Sequence, residues 1–146
     1  MLFAKAPGRF VVGNLEQILA EDGSEIETNA LGTQNVADAA ATYGAAAMIM
    51  VSSDKSVGPT SVMGATKRVA KFYCQSADDG DQRIRLITVR FGNVLGSSGS
   101  VVPLFQEQFA KGGPLTVTHP DITRYFMTIN EAVELVLQAG AQAGYL

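Results

Sequence analysis

The stretch AAAMIMVS, Ala45–Ser52, is a continuous run of apolar residues that ends in a serine. A short run of this kind is typical of a parallel β-strand that is covered on both faces. From Glu25 onwards, the preceding residues place apolar side chains on neighbouring helical turns until Gly44, which is well placed to end a helix. The sequence therefore predicts a helix that ends at Gly44, followed by a buried strand.

The chain beyond this strand continues to alternate between helix and strand patterns. Gly58 and Pro59 break the chain before a helix that opens near Ser61, and the acidic turn DDGD at 78–81 closes it. The next predicted strand is RIRLITVRF at 83–91. Three elements should follow the loop at 92–100: a helix at Val101–Lys111, a short strand in LTVT at 115–118, and a last helix that opens with the capping box Thr128-Ile129-Asn130-Glu131.

The order of these elements predicts the fold class. Alternating helices and strands favour right-handed β-α-β units and a parallel sheet, so we expect an α/β protein. Residues 1–24 show no clean period, and we expect irregular or adapted structure there. The last helix should be buried along one face, formed by Ala132, Leu135, Val136 and Ala139.

Composition argues against several classes of function. The 14 acidic and 11 basic residues are scattered, with a net charge of −3, so no basic stripe suits nucleic acid. Cys74 is the only cysteine and His119 the only histidine, so an internal disulfide is impossible and a metal site is not expected. We expect His119 to serve loop structure or capping. No apolar run reaches the ~20 residues that cross a bilayer, and the N-terminus shows no export signal, so we expect a cytoplasmic protein.

Candidate site residues follow two of the predicted strands. Ligands of parallel sheets bind beyond the carboxyl ends of the strands, where Ser52–Lys55 and Phe91–Leu95 lie. Met63 and Lys67 are four residues apart, and hence share one face of the next helix. We expect the loop from Ser53 to Gly58 to bring Ser53, Asp54 and Lys55 close to Met63 and Lys67, in a polar cluster at the strand end.

Asp54 and Lys55 are a candidate acid–base couple within that cluster. A carboxylate beside an ammonium group lowers the cost of keeping both ionised, and burial can tune both pKa values. The alternative is a solvated surface pair, which spacing alone favours.

Four long segments carry a resemblance to a known family. In chain order they resemble the polysaccharide-biosynthesis nucleotide-sugar dehydratases of the extended short-chain dehydrogenase/reductase superfamily, above all the UDP-N-acetylglucosamine 4,6-dehydratases of capsule, O-antigen and flagellin-glycan pathways. The resemblance covers approximately residues 25–140. It implies a partial Rossmann-like parallel sheet with flanking helices, plus the start of a substrate-binding region. The segments are NALGTQNVADAA at 29–40, SSDKSVGPTSVMGATKR at 52–68, RFGNVLGSSGSVVPLF at 90–105 and GGPLTVTHPDITRYFMTINEAVELVLQAG at 112–140.

The resemblance implies roles for the strand-end residues. Ser53 matches the active-site Ser/Thr, and Lys67 matches the lysine that binds the nicotinamide ribose. Asp54 and Lys55 match the pair that protonates the departing 6-hydroxyl and removes the proton from C5. On the cofactor side, the matching positions are Ser52, Ser53, Lys67 and Phe91.

The resemblance also implies substrate-binding residues. Asn93 and Arg124 match groups that hold the diphosphate of the sugar nucleotide. The segment GSVVP, with Val102 and Pro103, matches one that lines the nucleotide side.

Met63 stands where the family's Tyr-x-x-x-Lys pair has its reactive tyrosine. A thioether has no proton to give or take, so Met63 cannot remove the proton from the 4-hydroxyl. A methionine form of the motif is known in a branch of the family that resembles this chain. Asp54, Lys55, Lys67 or a water held by them would therefore have to cover this step, while the Met63 side chain packs.

The implied activity is that of a lyase that uses NAD+ or NADP+ to oxidise C4 of the sugar, eliminate water across C5 and C6, and return the hydride to C6. The expected substrate is a UDP-N-acetylglucosamine-like nucleotide sugar. A homo-oligomer is also expected, because a parallel strand left at a sheet edge invites association.

The glycine-rich cofactor turn of the family is missing before residue 25. We therefore expect a single partial domain, an internal fragment with an atypical segment at 1–24, the second half of a dinucleotide-binding fold at 25–95 and the start of the substrate-binding region at 96–146. One alternative is a non-catalytic sugar-diphosphate-binding module. The other is an epimerase or reductase, which the Asp54-Lys55 pair disfavours because epimerisation at C4 needs no elimination couple.

Overall fold

A computed structural model describes residues 10–13, 24, 26–80, 84–97, 101–117 and 119–142. Most of residues 1–24, together with residues 25, 81–83, 98–100, 118 and 143–146, therefore lie outside the described part. Strands and helices alternate along the chain as the sequence predicts. The strands are β1 (Phe10–Gly13), β2 (Ala47–Ser53), β3 (Arg85–Phe91), β4 (Asn93–Val94) and β5 (Phe126–Met127), and the helices are α1 (Gly32–Thr42), α2 (Val62–Gly80), α3 (Val101–Ala110) and α4 (Ile129–Gln142).

β1, β2 and β3 form a parallel sheet with β2 in the centre. Ala47 pairs with Phe10 on one side and with Arg85 on the other. β4 and β5 form a second, two-stranded parallel pair. The predicted α/β class with a parallel sheet is confirmed.

Helices cover both faces of β2, which explains why its sequence is apolar without alternation. On one face, Met48 and Met50 pack in a cluster with residues of α1 and α2, including Ala37 and Ala70. On the other face, Ile49, Val51 and Val89 pack against α4 through Leu135, Val136 and Ala139. The predicted buried face of the last helix is thus confirmed.

Residues at helix ends explain where several elements begin and stop. Gly44 has a φ of 71°, a left-handed conformation that glycine adopts at low cost, and it ends α1 as predicted. A π-helical turn at Ile26–Leu31 precedes α1. At α4, the Thr128 hydroxyl accepts a bond from the Glu131 N–H at 3.2 Å, and the Glu131 carboxylate accepts bonds from the Thr128 N–H and hydroxyl. The predicted capping box is confirmed.

The irregular structure expected at residues 1–24 is wrong at 10–13, while most of that segment lies outside the described residues, and the expectation of a loop throughout 92–100 is wrong at 93–94. Phe10–Gly13 is a regular strand, because pairing with β2 imposes an extended conformation on a stretch too short to show a period. The loop at 92–100 contains β4, which pairs with β5 through Asn93 opposite Phe126. Two-residue strands carry no pattern that a sequence could reveal.

The predicted strand in LTVT is also wrong, since the described residues 115–117 form no strand. The Gln108 side chain provides hydrogen-bond partners for Thr116 of this segment instead. Its Oε1 accepts the Thr116 N–H at 2.9 Å, and its Nε2 donates to the Thr116 hydroxyl at 3.2 Å. A side chain of α3 therefore replaces the partner strand.

Among the described residues, no helix is long and apolar enough to cross a membrane. The same part of the chain contains no group of three or more His, Cys, Asp or Glu side chains that could hold a metal ion.

Candidate active site at the carboxyl edge of the sheet

The carboxyl ends of β2 and β3 meet at one edge of the sheet. Ser53 pairs directly with Phe91, and Ser52 pairs with Arg90. The two sequence-predicted groups, Ser52–Lys55 and Phe91–Leu95, therefore start from neighbouring positions. The structure therefore places the residues that follow β2 next to those that follow β3, as expected for neighbouring parallel strands.

A 3₁₀ turn at Asp54–Ser56 follows β2 and is held by serine hydroxyls. Ser53 caps this turn: its hydroxyl accepts the Lys55 N–H at 3.3 Å and donates to an Asp54 carboxylate oxygen at 3.0 Å. The buried Ser52 hydroxyl donates to that of Ser56 at 3.3 Å, and Ser56 donates to the Ser53 carbonyl at 2.6 Å. The buried Ser52 thus stabilises the turn through Ser56, while the less buried Ser53 contacts Asp54 at the start of the turn.

Asp54 and Lys55 form an ion pair that remains open to solvent. The Lys55 Nζ lies 3.9 Å from an Asp54 carboxylate oxygen, and the two side chains are 39% and 45% exposed respectively. Such a loose pair contributes little to stability. Its two charges nevertheless stand side by side where a ligand can reach them.

Helix α2 abuts this turn because residue 64 is a glycine. A Cβ on Gly64 would lie 2.3 Å from the Lys55 carbonyl oxygen and 3.1 Å from the Pro59 Cβ. The Gly64 N–H is capped by the Ser61 hydroxyl at 3.2 Å. The first turn of α2, with Met63, therefore lies directly against the backbone of Lys55.

Lys67 is only 3% exposed, although it carries an ammonium group. It lies one turn beyond Met63, which is half-buried, on the helix that abuts the strand end. A buried lysine is costly unless other groups compensate its charge, so this position is unusual for a surface helix.

Asn29 is a residue of this region that sequence reasoning missed. It is fully buried in the π-helical turn, and its Nδ2 donates to the Thr66 hydroxyl at 3.1 Å, next to Lys67. Thr66 in turn donates to the Met63 carbonyl at 2.9 Å. The Asn29 Oδ1 is buried without a hydrogen-bond partner in this structure. A lone asparagine before an apolar helical run was the available signal.

Asn93 is hydrogen-bonded to the residue that follows Arg124, at the start of the β4–β5 pair. The Asn93 N–H and its Nδ2 both donate to the Tyr125 carbonyl, at 3.0 and 3.1 Å. Arg124, which precedes Tyr125, is exposed. The segment that carries Arg124 is thereby tied to the end of β3.

The remaining predicted positions stand apart from this cluster. Val102 is half-buried and Pro103 exposed in the first turn of α3, and in the described part of the chain no hydrogen bond or ion pair joins them to the strand ends. The His119 Nδ1 accepts the Asp121 N–H at 3.2 Å in an exposed loop, so its predicted role in loop structure is confirmed.

A cavity of about 880 Å³ lies elsewhere, along β3 between α2 and α4. Leu86, Thr88 and Leu135 are among its lining residues, and no predicted site residue lines it. The candidate residues lie instead at the strand ends, where the Asp54 carboxylate, the Lys55 ammonium group and the Ser53 hydroxyl converge.

The family model described as "Polysaccharide biosynthesis protein" matches residues 16–145. The chain belongs to this family. It is 56% identical over 118 residues to the capsular polysaccharide biosynthesis protein CapD of Staphylococcus aureus, a match that covers 81% of this chain and 20% of CapD. It is also 40% identical over 120 residues to a UDP-glucose 4-epimerase of Rickettsia canadensis (strain McKiel), covering 78% of this chain and 34% of the epimerase.

Solved structures share the fold. Pen from Bacillus thuringiensis superposes with a TM-score of 0.81 at 34% identity, covering 91% of this chain and 44% of Pen. A dTDP-glucose 4,6-dehydratase from Bacillus anthracis str. Ames, in complex with NAD, has a TM-score of 0.73 at 19% identity and covers 90% and 48%. The chain thus spans a fifth to a third of the two relatives and less than half of each structure. The resemblance drawn from the sequence and its Rossmann-like fold are confirmed.

Proposed function

We propose that this protein is a nucleotide-sugar 4,6-dehydratase of surface polysaccharide or glycan biosynthesis, acting on a UDP-N-acetylglucosamine-like substrate. The observation that carries the proposal is the Asp54–Lys55 pair, solvent-accessible at the carboxyl end of β2 and backed by α2. An acid and a base side by side are what an elimination of water requires. Its cytoplasmic location, its homo-oligomeric state and its partial-domain organisation stay predictions.

Residues at the strand ends fit a nicotinamide cofactor. Lys67 is a buried cation on the helix that abuts the strand end, suited to ribose hydroxyls, and the half-buried Phe91 ring beside Ser53 offers an apolar surface. When bound, NAD+ or NADP+ would accept the hydride from C4 and return it to C6. Ser52 supports this side through the turn that it holds.

The chain's own residues would perform the proton transfers. A proton first passes from the Lys55 ammonium to the Asp54 carboxylate, so that the pair becomes a neutral acid and a neutral amine. Asp54 then gives this proton to the departing 6-hydroxyl, which leaves as water, and Lys55 takes the proton from C5, so that a C5–C6 double bond forms. Lys55 can later return its proton to C5. Proton removal from the 4-hydroxyl falls to Asp54, Lys55, Lys67 or a water that they hold, because Met63 has no titratable group.

Substrate binding would use the Arg124 guanidinium, which can grip diphosphate oxygens through two donors. Asn93, Val102 and Pro103 are proposed for the same nucleotide side. Of these, Asn93 is the one that the structure ties to the Arg124 segment.

Variants of the acid–base couple test this proposal. Lys55→Ala and Asp54→Asn should abolish elimination from UDP-N-acetylglucosamine in the presence of NAD+ or NADP+, whereas Met63→Leu should retain most of it. Product formation is followed by mass spectrometry, as the loss of one water from the sugar nucleotide. Lys111→Ala, which removes an exposed lysine paired with Glu107, is the matched control. Full elimination by Lys55→Ala, or complete loss in a folded Met63→Leu, would contradict these roles.

A second candidate is a nucleotide-sugar 4-epimerase, favoured by the relative that carries that name. Epimerisation leaves the substrate mass unchanged, so the same measurement separates the two reactions. In that case no elimination couple would be needed, and Asp54 and Lys55 would serve only the proton transfer at the 4-hydroxyl.

A further inference from the structure

The side chain of Asn93 is already engaged within the protein. Its Nδ2 and its backbone N–H both point at one acceptor, the Tyr125 carbonyl oxygen. Phosphate oxygens only accept hydrogen bonds, so Nδ2 is also the sole atom of this side chain that can serve a diphosphate. The NH2 group has two N–H donors, so this bond uses one of them and fixes the orientation of the amide, which leaves one donor for a direct contact.

Gly92 meets the same carbonyl group. A Cβ at this position would lie 3.1 Å from the Tyr125 oxygen, closer than side chains normally approach. Two residues further along both strands, the Leu95 N–H donates to the Met127 carbonyl at 2.9 Å. Residues 92–95 thus form a seat on which the backbone of residues 125–127 rests.

Arg124 stands immediately before this seated segment. Its side chain is exposed, and within the described ranges no hydrogen bond or ion pair engages it. A guanidinium grips a phosphate group through short, directed bonds, so its effect depends on where the backbone holds it. The nearest bonds that hold this backbone are those from Asn93.

We propose that Asn93 is a positioning residue, which fixes the Tyr125 carbonyl and thereby sets Arg124 for the diphosphate of the substrate. The inference rests on the proposed function, in which Arg124 binds that diphosphate. It differs from a direct contact because Asn93 should matter only while Arg124 is present.

A double-mutant cycle with UDP as the ligand tests this dependence. Arg124→Ala should weaken binding about tenfold or more in titration calorimetry, because it removes charge-assisted bonds. Asn93→Ala should weaken it severalfold. The double variant should bind like Arg124→Ala within about twofold, whereas two independent contacts would give additive losses, which would overturn the proposal. No loss in Asn93→Ala would overturn it equally.

Two further variants sharpen the cycle. Gly92→Ala adds a Cβ 3.1 Å from the Tyr125 carbonyl oxygen, which must shift to accept it, and should lower UDP affinity in the same Arg124-dependent way. Ser97→Ala is the control, because it removes a hydrogen bond of this loop, to the Val94 carbonyl at 2.8 Å, without touching Tyr125. Its affinity should match that of the unmodified protein.

Hydrogen exchange separates a failure of this inference from a failure of the proposed function. If the unmodified protein does not bind UDP, the diphosphate role fails, and the amide of Leu95 still reports on the seat. Its exchange should be severalfold faster in Asn93→Ala than in Ser97→Ala. Equal exchange in the two variants would overturn the positioning role whatever the binding result.

Discussion

Gly64 shows at the scale of one residue how the candidate site is held together. In the segment MGATK at 63–67, the spacing predicts a shared helix face for Met63 and Lys67, but no pattern predicts a role for the glycine between them. Yet the structure places the Lys55 carbonyl where a Gly64 side chain would begin. Such a close approach depends on distant backbone and leaves no pattern in the sequence, whereas the strand-end position of Asp54 and Lys55 follows directly from element order.

Gly64→Ala should destabilise the protein despite the better helix propensity of alanine. The new Cβ would lie 2.3 Å from the Lys55 oxygen, and relieving such overpacking typically costs about 1–3 kcal/mol, against a propensity gain of about 1 kcal/mol. Denaturant unfolding measures the difference. Gly113→Ala is the control, since its Cβ would meet only the Gln108 oxygen at 3.9 Å. Equal stability of the two variants would show that α2 does not abut the turn as described.

Tyr73 provides a second test at this scale. Its hydroxyl donates to the Asp38 carboxylate, and this bond, together with burial, raises the pKa of Tyr73 to about 12. Folding therefore favours the protonated phenol, and the resulting stabilisation is present below the ordinary tyrosine pKa of about 10. It should be lost as the pH rises from there towards 12. Thermal unfolding should show this decline, and Tyr73→Phe should lack it; parallel curves would contradict the bond.

At the scale of the element, the sequence predicts a helix or strand correctly where neighbouring residues carry the apolar pattern or the helix cap. β2 and α4 are examples, because burial on both faces and the Thr128–Glu131 box are written in neighbouring residues. The strand predicted in LTVT is absent from the described residues 115–117, because residues of high β-propensity form a strand only beside a partner strand. Here the Gln108 side chain accepts the Thr116 N–H instead. β4 and β5 were missed because their pairing joins residues far apart in the chain.

Thr128→Ala should destabilise α4 by about 1 kcal/mol, since it removes the hydroxyl that caps the helix. Thr128→Ser keeps that hydroxyl and is the control. Separately, hydrogen bonds from the Thr128 N–H and hydroxyl lower the pKa of Glu131, so the contribution of the Glu131 carboxylate should be present at neutral pH and lost as the pH falls through the lowered pKa. Chemical unfolding at neutral and at acid pH measures both effects. A Thr128→Ala variant as stable as Thr128→Ser would contradict the cap.

At the scale of the whole molecule, the strand ends, the Asp54–Lys55 ion pair and helix α2 meet at one edge of the sheet. Several large apolar side chains of α2 and α4 nevertheless face solvent, among them Phe72, Val133 and Leu137, each about half exposed. A helix that is apolar on two sides usually packs against a further partner, which is consistent with the expected oligomer. Sedimentation velocity should therefore show species larger than a monomer; a monomer at all concentrations would contradict that expectation.

The central claim is elimination of water at the Asp54–Lys55 edge, and its most direct measurement is the reaction of UDP-N-acetylglucosamine with NAD+ or NADP+ in D2O. The account predicts a product that has lost one water and carries one solvent deuterium at C5, because Lys55 must return a proton there. Lys55→Ala should form none of it. A product of unchanged mass without solvent deuterium would contradict the claim and identify the reaction as epimerisation.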